Sequence, residues 1–220
     1  MRYGFQEAIG AFFLADADEL ARLLPHTLTP QTARPRHGVL AITAFDFDES
    51  VVGAYGELVI SVLVPPFAPA SAELPQAAIF PIALCTTTEA SRLHAEERYY
   101  LPAQDRCMDM RFERNDGVRK VLVSDAGAPV LELRVGRTRA VPSTRLYQCF
   151  SSHEERLYRA DLWFEGVLDE HEEEMGALVL EDHPIANRIA GAISDHIPLR
   201  EQSMDQGEER YGTPTPHQPF

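Results

Sequence analysis

The chain has 220 residues, 45% of them apolar, and sets 20 Lys and Arg against 34 Asp and Glu for a formal net charge of −14. This is enough apolar mass for one sizeable core. A surface of that sign repels phosphate backbones and anionic lipid, which argues against nucleic-acid and membrane partners. Apolar runs such as Leu58–Val64 are too short to span a bilayer, and Met1-Arg2-Tyr3-Gly4-Phe5 lacks the apolar core of a signal peptide, so a cytoplasmic protein is expected. Cys85, Cys107 and Cys149 are widely spaced, which suits reduced, buried thiols rather than a disulfide or a metal site.

In chain order, Asp16, Asp18 and Glu19 precede Leu20, Leu23 and Leu24, and Pro25 follows, predicting a short amphipathic helix with acids at its positive end. Residues 39–47 and 57–64 are rich in β-branched and aromatic side chains and read as strands, the second stopped by Pro65-Pro66. A short strand is expected over 79–84 and a helix over 89–101, ending before Pro102. Met108, Met110 and Phe112 alternate with charged residues, and Asn115-Asp116-Gly117 supplies hairpin chemistry before a strand over 118–123. Strands are also expected over 131–135 and 159–169, which brings the count to at least seven. Ser151-Ser152-His153 reads as a loop, and Asp169–Glu174 as a solvated acidic turn. Ile185, Ile189, Ile193 and Ile197 recur every four residues and predict a helix with one buried face. Beyond Leu199 the composition turns polar and Pro-rich, so residues 1–200 are read as one domain and 201–220 as a polar tail that could dock on a neighbouring subunit. The expected class is α+β, mainly β: an antiparallel barrel or strongly curved sheet with a few flanking helices.

Four segments carry a family resemblance by their order and spacing: Leu23-Leu24-Pro25, Tyr55-Gly56-Glu57, Tyr100-Leu101-Pro102 and Asp182-His183-Pro184. Over roughly residues 5 to 200 the chain resembles the acetoacetate decarboxylase superfamily. The resemblance implies a barrel-like fold with an internal cavity, and homo-oligomers. It matches Glu57 to the family's active-site glutamate and Glu96-Glu97 to an Arg-Glu pair whose arginine is absent here. The family's N-terminal arginine would fall near Gln6. Where the family places paired lysines after a proline, this chain has Pro102-Ala103-Gln104-Asp105. An amine forms the iminium that accepts the electron pair left by carbon dioxide, and neither Ala103 nor Gln104 can form one. Lys120 is the only lysine in the chain, and its neighbours suit either a solvent-facing or a cavity-facing side chain.

Glu57 shares a strand face with Val59, Ser61 and Leu63 in a segment apolar on both sides. Burial without a cation would raise its pKa and make it an acid or base near neutrality, while a structural hydrogen bond, for instance with Tyr55, is the plainer role. Glu57 and Glu97 are therefore the candidate catalytic residues, and Tyr55, Tyr99, Gln104 and Arg106 the candidate substrate-binding residues. Arg106 could hold a carboxylate or simply pair with Asp105 or Glu97. His171 and His183 lack second ligands at metal spacing, and no serine elbow or phosphate loop is present, so no metal or cofactor is expected. Two readings remain. One is a lyase- or isomerase-type enzyme acting by non-covalent acid/base chemistry, without a Schiff base, on a small oxo acid or related carbonyl compound. The other is a non-catalytic barrel that binds a small carboxylate or carbonyl ligand.

Overall fold

The computed structural model describes residues 1–67, 75–115 and 117–217. In chain order the strands are β1 (Arg2–Asp16), β2 (Thr32–Arg34), β3 (His37–Glu49), β4 (Tyr55–Val64), β5 (Ala77–Thr86), β6 (Asp109–Asn115), β7 (Val118–Asp125), β8 (Ala128–Gly136), β9 (Val141–His153), β10 (Arg156–His171), β11 (Ala177–Leu180), β12 (Arg200–Tyr211) and β13 (Thr215–Pro216). Three helices, α1 (Ala17–Arg22), α2 (Glu89–Tyr99) and α3 (Pro184–Ala190), lie between them.

Seven strands close on themselves in the order β1-β12-β10-β9-β5-β4-β3, because β3 pairs back onto β1. All neighbours run antiparallel except β5 and β9, which pair in parallel from Ala77↔Tyr147 to Ile79↔Cys149. Closure leaves these strands no free edge. A four-stranded sheet, β11-β8-β7-β6, packs against the outside. Outward-facing Ile9, Ala11 and Phe13 of β1 share one buried core with Val121, Val123, Leu131 and Leu133 of that sheet. The mainly β class with few helices, expected from the strand count, is what the chain adopts.

Local chemistry accounts for the short helices. The Asp16 side chain caps α1 by accepting from the Asp18 and Glu19 N–H groups at 2.9 and 3.0 Å. Thr88 caps α2 in the same way, and Tyr100 ends it in the left-handed region at φ 57°. The isoleucine-spaced helix is shorter than expected. Gly191 caps α3, and Ile193 and Ile197 follow in irregular backbone, where Asp195 accepts from the Ile197 N–H at 3.0 Å and so competes with helix formation.

Other expectations need correcting. Residues 201–220 are not a tail through their first half: β12 lies between β1 and β10 and completes the barrel. Glu201 and Asp205 pair with partners across the seam between barrel and sheet, so low hydrophobicity did not prevent burial. Ser151–His153 end strand β9, and the acidic turn begins later than expected, since Asp169 is buried in β10 and accepts from the Thr138 N–H and Oγ1 at 2.7 and 2.8 Å. Residues 2–16, not anticipated as a strand, form one of the longest in the molecule. Of the predicted hairpin turn Asn115–Gly117, Asp116 lies outside the described residues, as do 218–220 of the expected tail.

Paired bulges decide which residues face inward. Between Phe5 and Glu7 the register against β3 advances by one residue, so Gln6 is an extra residue in β1. Between Glu165 and Val167 the register against β12 skips Gln206 and Gly207, making an extra residue there too. Gln206 takes φ 46°, and a Cβ on Gly207 would sit 2.2 Å from the Phe5 ring. Each insertion reverses the alternation of its strand. Ala8, Gly10 and Phe12 point inward on one side of the β1 bulge, and Phe5 and Tyr3 on the other.

Buried polar groups fasten the sheet to the barrel. Glu201 of β12, fully buried, accepts from the backbone N–H of Met175 and Gly176 at 2.7 and 2.8 Å and from that of Gly136. Glu7 pairs with Arg114 at 2.9 Å and Arg119 at 2.8 Å, and Asp205 with Arg137 at 2.8 Å. Replacing Glu201 by Ala strands three buried donors. Since each lost partner costs about 1–3 kcal/mol, Glu201→Ala should lower stability by at least ~3 kcal/mol, read as a reduced urea midpoint at unchanged slope.

Candidate functional site

A partly open pocket of about 110 Å³, called the chamber below, lies among the barrel strands. On the measure by which one water needs roughly 10–15 Å³, this admits a compact molecule of roughly seven to eleven non-hydrogen atoms. Its walls are mostly apolar. Phe12 of β1, Phe45 of β3, Val59 of β4, Ile79 and Pro81 of β5, and Leu162 and Phe164 of β10 face it, with Leu101 entering from the connection after α2. An aromatic cluster closes one end: Phe45 stacks on Phe47 with centroids 5.1 Å apart, and Phe47 meets Tyr55 at 4.9 Å. Behind it the Tyr3 hydroxyl shares hydrogen bonds with the Tyr99 hydroxyl at 2.7 Å and with His94 Nε2 at 2.8 Å.

Two carboxyl groups enter this apolar space. Strand alternation turns Glu57 inward with Val59 and Ser61, while Leu58, Ile60 and Val62 on the other face join the outer core. The surface that Glu57 retains opens into the chamber. Burial pushes its pKa up to about 8, with a hydrogen bond from Tyr55 as the smaller, opposing influence. Glu209 of β12 is 6% exposed. Burial holds its pKa well above the usual carboxylate range, and the Glu57 charge raises it further. Neither carboxyl has an ion-pair partner, and among the described residues lining the chamber none is Lys, Arg or His.

Several hydroxyl and thiol groups complete the wall. Tyr147 accepts from Gln202 Nε2 at 3.5 Å, which leaves its own proton free, and burial raises its pKa. The Tyr211 hydroxyl stays protonated for the same reason, and Cys149 beside it is pushed up to about 12, so its thiol is inert near neutrality.

The six residues singled out in the sequence end in different places. Glu57 lines the chamber, and Tyr55 and Tyr99 lie in the cluster that closes its end. Glu97 is exposed on α2. Gln104 is outside the chamber lining, its backbone N–H donating to the Leu84 carbonyl at 2.8 Å. Arg106 is 77% exposed and lies 3.7 Å from Asp125, rather than from Asp105 or Glu97. Lys120 is on the outer sheet, 2.7 Å from Glu113 and 3.8 Å from Glu132. Among the described residues no cluster of three or more His, Cys, Asp or Glu could hold a metal ion. Glu209, Tyr211, Gln202, Tyr147 and Cys149 were missed. All five lie in segments read as tail or left unassigned, and simple alternation places Glu209 on the wrong face.

No family model matches the chain, and no curated protein matches it. Solved structures do resemble it. Acetoacetate decarboxylase from Legionella pneumophila aligns with TM-score 0.71 at 13% identity, covering 100% of this chain and 88% of that one. The enduracididine biosynthesis enzyme MppR, in complex with pyruvate, aligns with TM-score 0.67 at 13% identity over 99% of this chain and 90% of its own. An acetoacetate decarboxylase-like enzyme from Sphingomonas wittichii RW1 gives 0.64 at 17% identity, over 99% and 92%. The chain thus has the acetoacetate decarboxylase-like fold, in agreement with the resemblance read from its sequence.

The buried Glu57 carries a stability consequence. Its folded pKa lies above its unfolded value, so the native state is favoured while the group is protonated, and that advantage is lost as pH rises from about 4.5 towards 8. Each unit of difference is worth about 1.4 kcal/mol. Glu57→Gln removes the ionisation, so its unfolding free energy relative to the unaltered protein should climb between pH 5 and 8.5 by a few kcal/mol, measured by denaturant melts across that range.

Proposed function

We propose that this protein is an enzyme that moves a proton at a carbon next to a carbonyl group, in a compact molecule held inside the barrel, without forming a Schiff base. The observation that carries this reading is the pair of carboxyls in an apolar chamber with no cation beside them. Glu57 is the base. A carboxylate whose conjugate acid has a pKa of about 8 is a far stronger base than an exposed one, and about a tenth of it is ionised at pH 7. It takes the α-proton as the C–H bond breaks. The electron pair forms the C=C bond of an enolate, whose oxygen accepts a hydrogen bond from the Tyr147 hydroxyl. Glu57 then returns the proton to the same or a neighbouring carbon, so the reaction is an isomerisation or exchange and consumes no co-reactant.

The geometry disfavours the oxo acid expected from the sequence, because an anion entering the chamber would meet Glu57 and Glu209 with no counter-charge. The solved structure with pyruvate belongs to another protein of this fold, and the position of Lys120 at the outer sheet supports chemistry that uses no amine. Glu97 and Arg106 take no part in the proposed reaction.

Proton NMR in deuterium oxide tests the reading, with a panel of small ketones, aldehydes and oxo acids recorded for loss of α-proton signal. Exchange of at least one uncharged or cationic member is expected, with kcat/KM rising about tenfold per pH unit up to pH 8 and levelling above it, since the ionised carboxylate is the active form. Glu57→Gln should reduce the rate by a factor of 10²–10⁴, the range for loss of a general base. Borohydride should leave activity intact. Ligand saturation without exchange for every member would make the barrel a binding protein instead.

A further inference from the structure

We propose that the ligand of the chamber carries a protonated amine, held against Glu209 and Glu57 and surrounded by aromatic rings. This rests on the preceding reading that the chamber is the ligand site, and it names the class of molecule.

The argument is one of charge matching. Four acidic side chains are buried in the described structure: Glu7, Asp169, Glu201 and Glu209. Glu7 has two arginines, Asp169 a backbone N–H and a hydroxyl, and Glu201 three backbone N–H groups. Glu209 has no such partner. The Met1 amino group, bonded to the Tyr211 carbonyl at 2.7 Å, attracts it only weakly, as the least of the influences on its pKa. Glu209 faces the same pocket as Glu57, so the one buried acid left without a partner among the described residues lines the barrel's pocket together with a second carboxyl.

Buried acids are normally satisfied because an uncompensated charge is costly. Without a cation burial keeps both carboxyls largely protonated near neutrality, and a cation on the ligand lets one ionise against it, a pairing that a neutral or anionic ligand cannot offer. Phe45, Phe164 and Tyr147 add π faces, Phe45 stacking on Phe164 with centroids 5.7 Å apart and Tyr147 meeting Phe164 edge-on at 5.5 Å. An ammonium on an apolar body suits such walls. A metal ion does not, since two carboxyls offer too few ligands and no third group joins them among the described residues. The net charge of −14 draws cations towards the protein. With the amine bound, Glu209 ionises against it and Glu57 remains the proton-transfer group.

Three probes of the same branched skeleton and different charge give a direct test: 3-methylbutylamine, 4-methyl-2-pentanone and 4-methylpentanoate, titrated by saturation-transfer NMR at pH 7.5. The amine is expected to bind at least tenfold more tightly than the ketone, and the carboxylate least. Glu209→Gln, nearly isosteric and checked by its melting temperature, should cost the amine at least tenfold and leave the ketone within twofold. Equal affinities, preference for the carboxylate, or no binding by any probe would overturn the inference, and the comparison in the unaltered protein stands even if the variant misfolds. Catalysed exchange of ketones without amine preference would sink this proposal and spare the enzyme reading. Amine binding without exchange on any carbonyl compound would do the reverse.

Discussion

The interior of this barrel depends on two extra residues lying side by side in neighbouring strands, Gln6 in β1 and Gln206 in β12. A strand presents alternate residues to opposite faces, so one inserted residue exchanges inside for outside along everything that follows. Before the insertion β12 sends Gln202 and Met204 inward; after it, Glu209 and Tyr211. Without it those two would share the outer face with Asp205, in reach of the arginines at the seam. The left-handed conformation of Gln206 costs on the order of 1–2 kcal/mol. Gly207 next to it is free of a side chain where the Phe5 ring presses against the backbone. Local strain is thereby exchanged for a buried carboxyl in the chamber.

The same layer distributes charge. The seam between barrel and outer sheet gathers Arg114, Arg119 and Arg137 around Glu7 and Asp205, so cations that would neutralise acids are held outside the barrel wall. Inside, the wall is apolar and aromatic, with hydroxyls kept protonated by burial. An acidic chain can therefore hold a chamber whose carboxyls sit far above their ordinary pKa without a general excess of buried charge. Among the described residues that line the pocket, Glu57 and Glu209 bear that cost.

The fold was legible where hydrophobic period and turn chemistry agree. Residues 39–47 and 57–64, the 118–123 strand and the 89–101 helix all appear near their expected bounds, because each is apolar on a repeating face and ends at Pro, Gly or a left-handed cap. Alternation put Glu57 on one face with Val59 and Ser61, but in a segment apolar on both sides it was the family resemblance that singled Glu57 out. Nothing comparable singled out Glu209. Arg200–Tyr211 is mostly polar, because one face serves the ion pairs of the seam, and its period is broken at Gln206, so neither composition nor spacing identifies a barrel strand. β1 was obscured for a related reason: small residues such as Ala8, Gly10 and Ala11 give it little β propensity, and it is closure against β3 and β12 that makes it a strand. Glu97 was nominated by the family resemblance and Arg106 by its nearness to Pro102, but the left-handed Tyr100 turns the chain so that Leu101, not its charged neighbours, enters the chamber.

That turn also bears on the absent amine. Leu84 fixes the segment through two backbone hydrogen bonds, donating to the Pro102 carbonyl at 3.0 Å and accepting from the Gln104 N–H at 2.8 Å. Its path is thus set without help from its side chains, and Ala103 packs against the cluster that closes the chamber. No lysine follows Pro102, none of the described residues lining the pocket is Lys, Arg or His, and burial there raises the Glu57 carboxyl pKa to about 8.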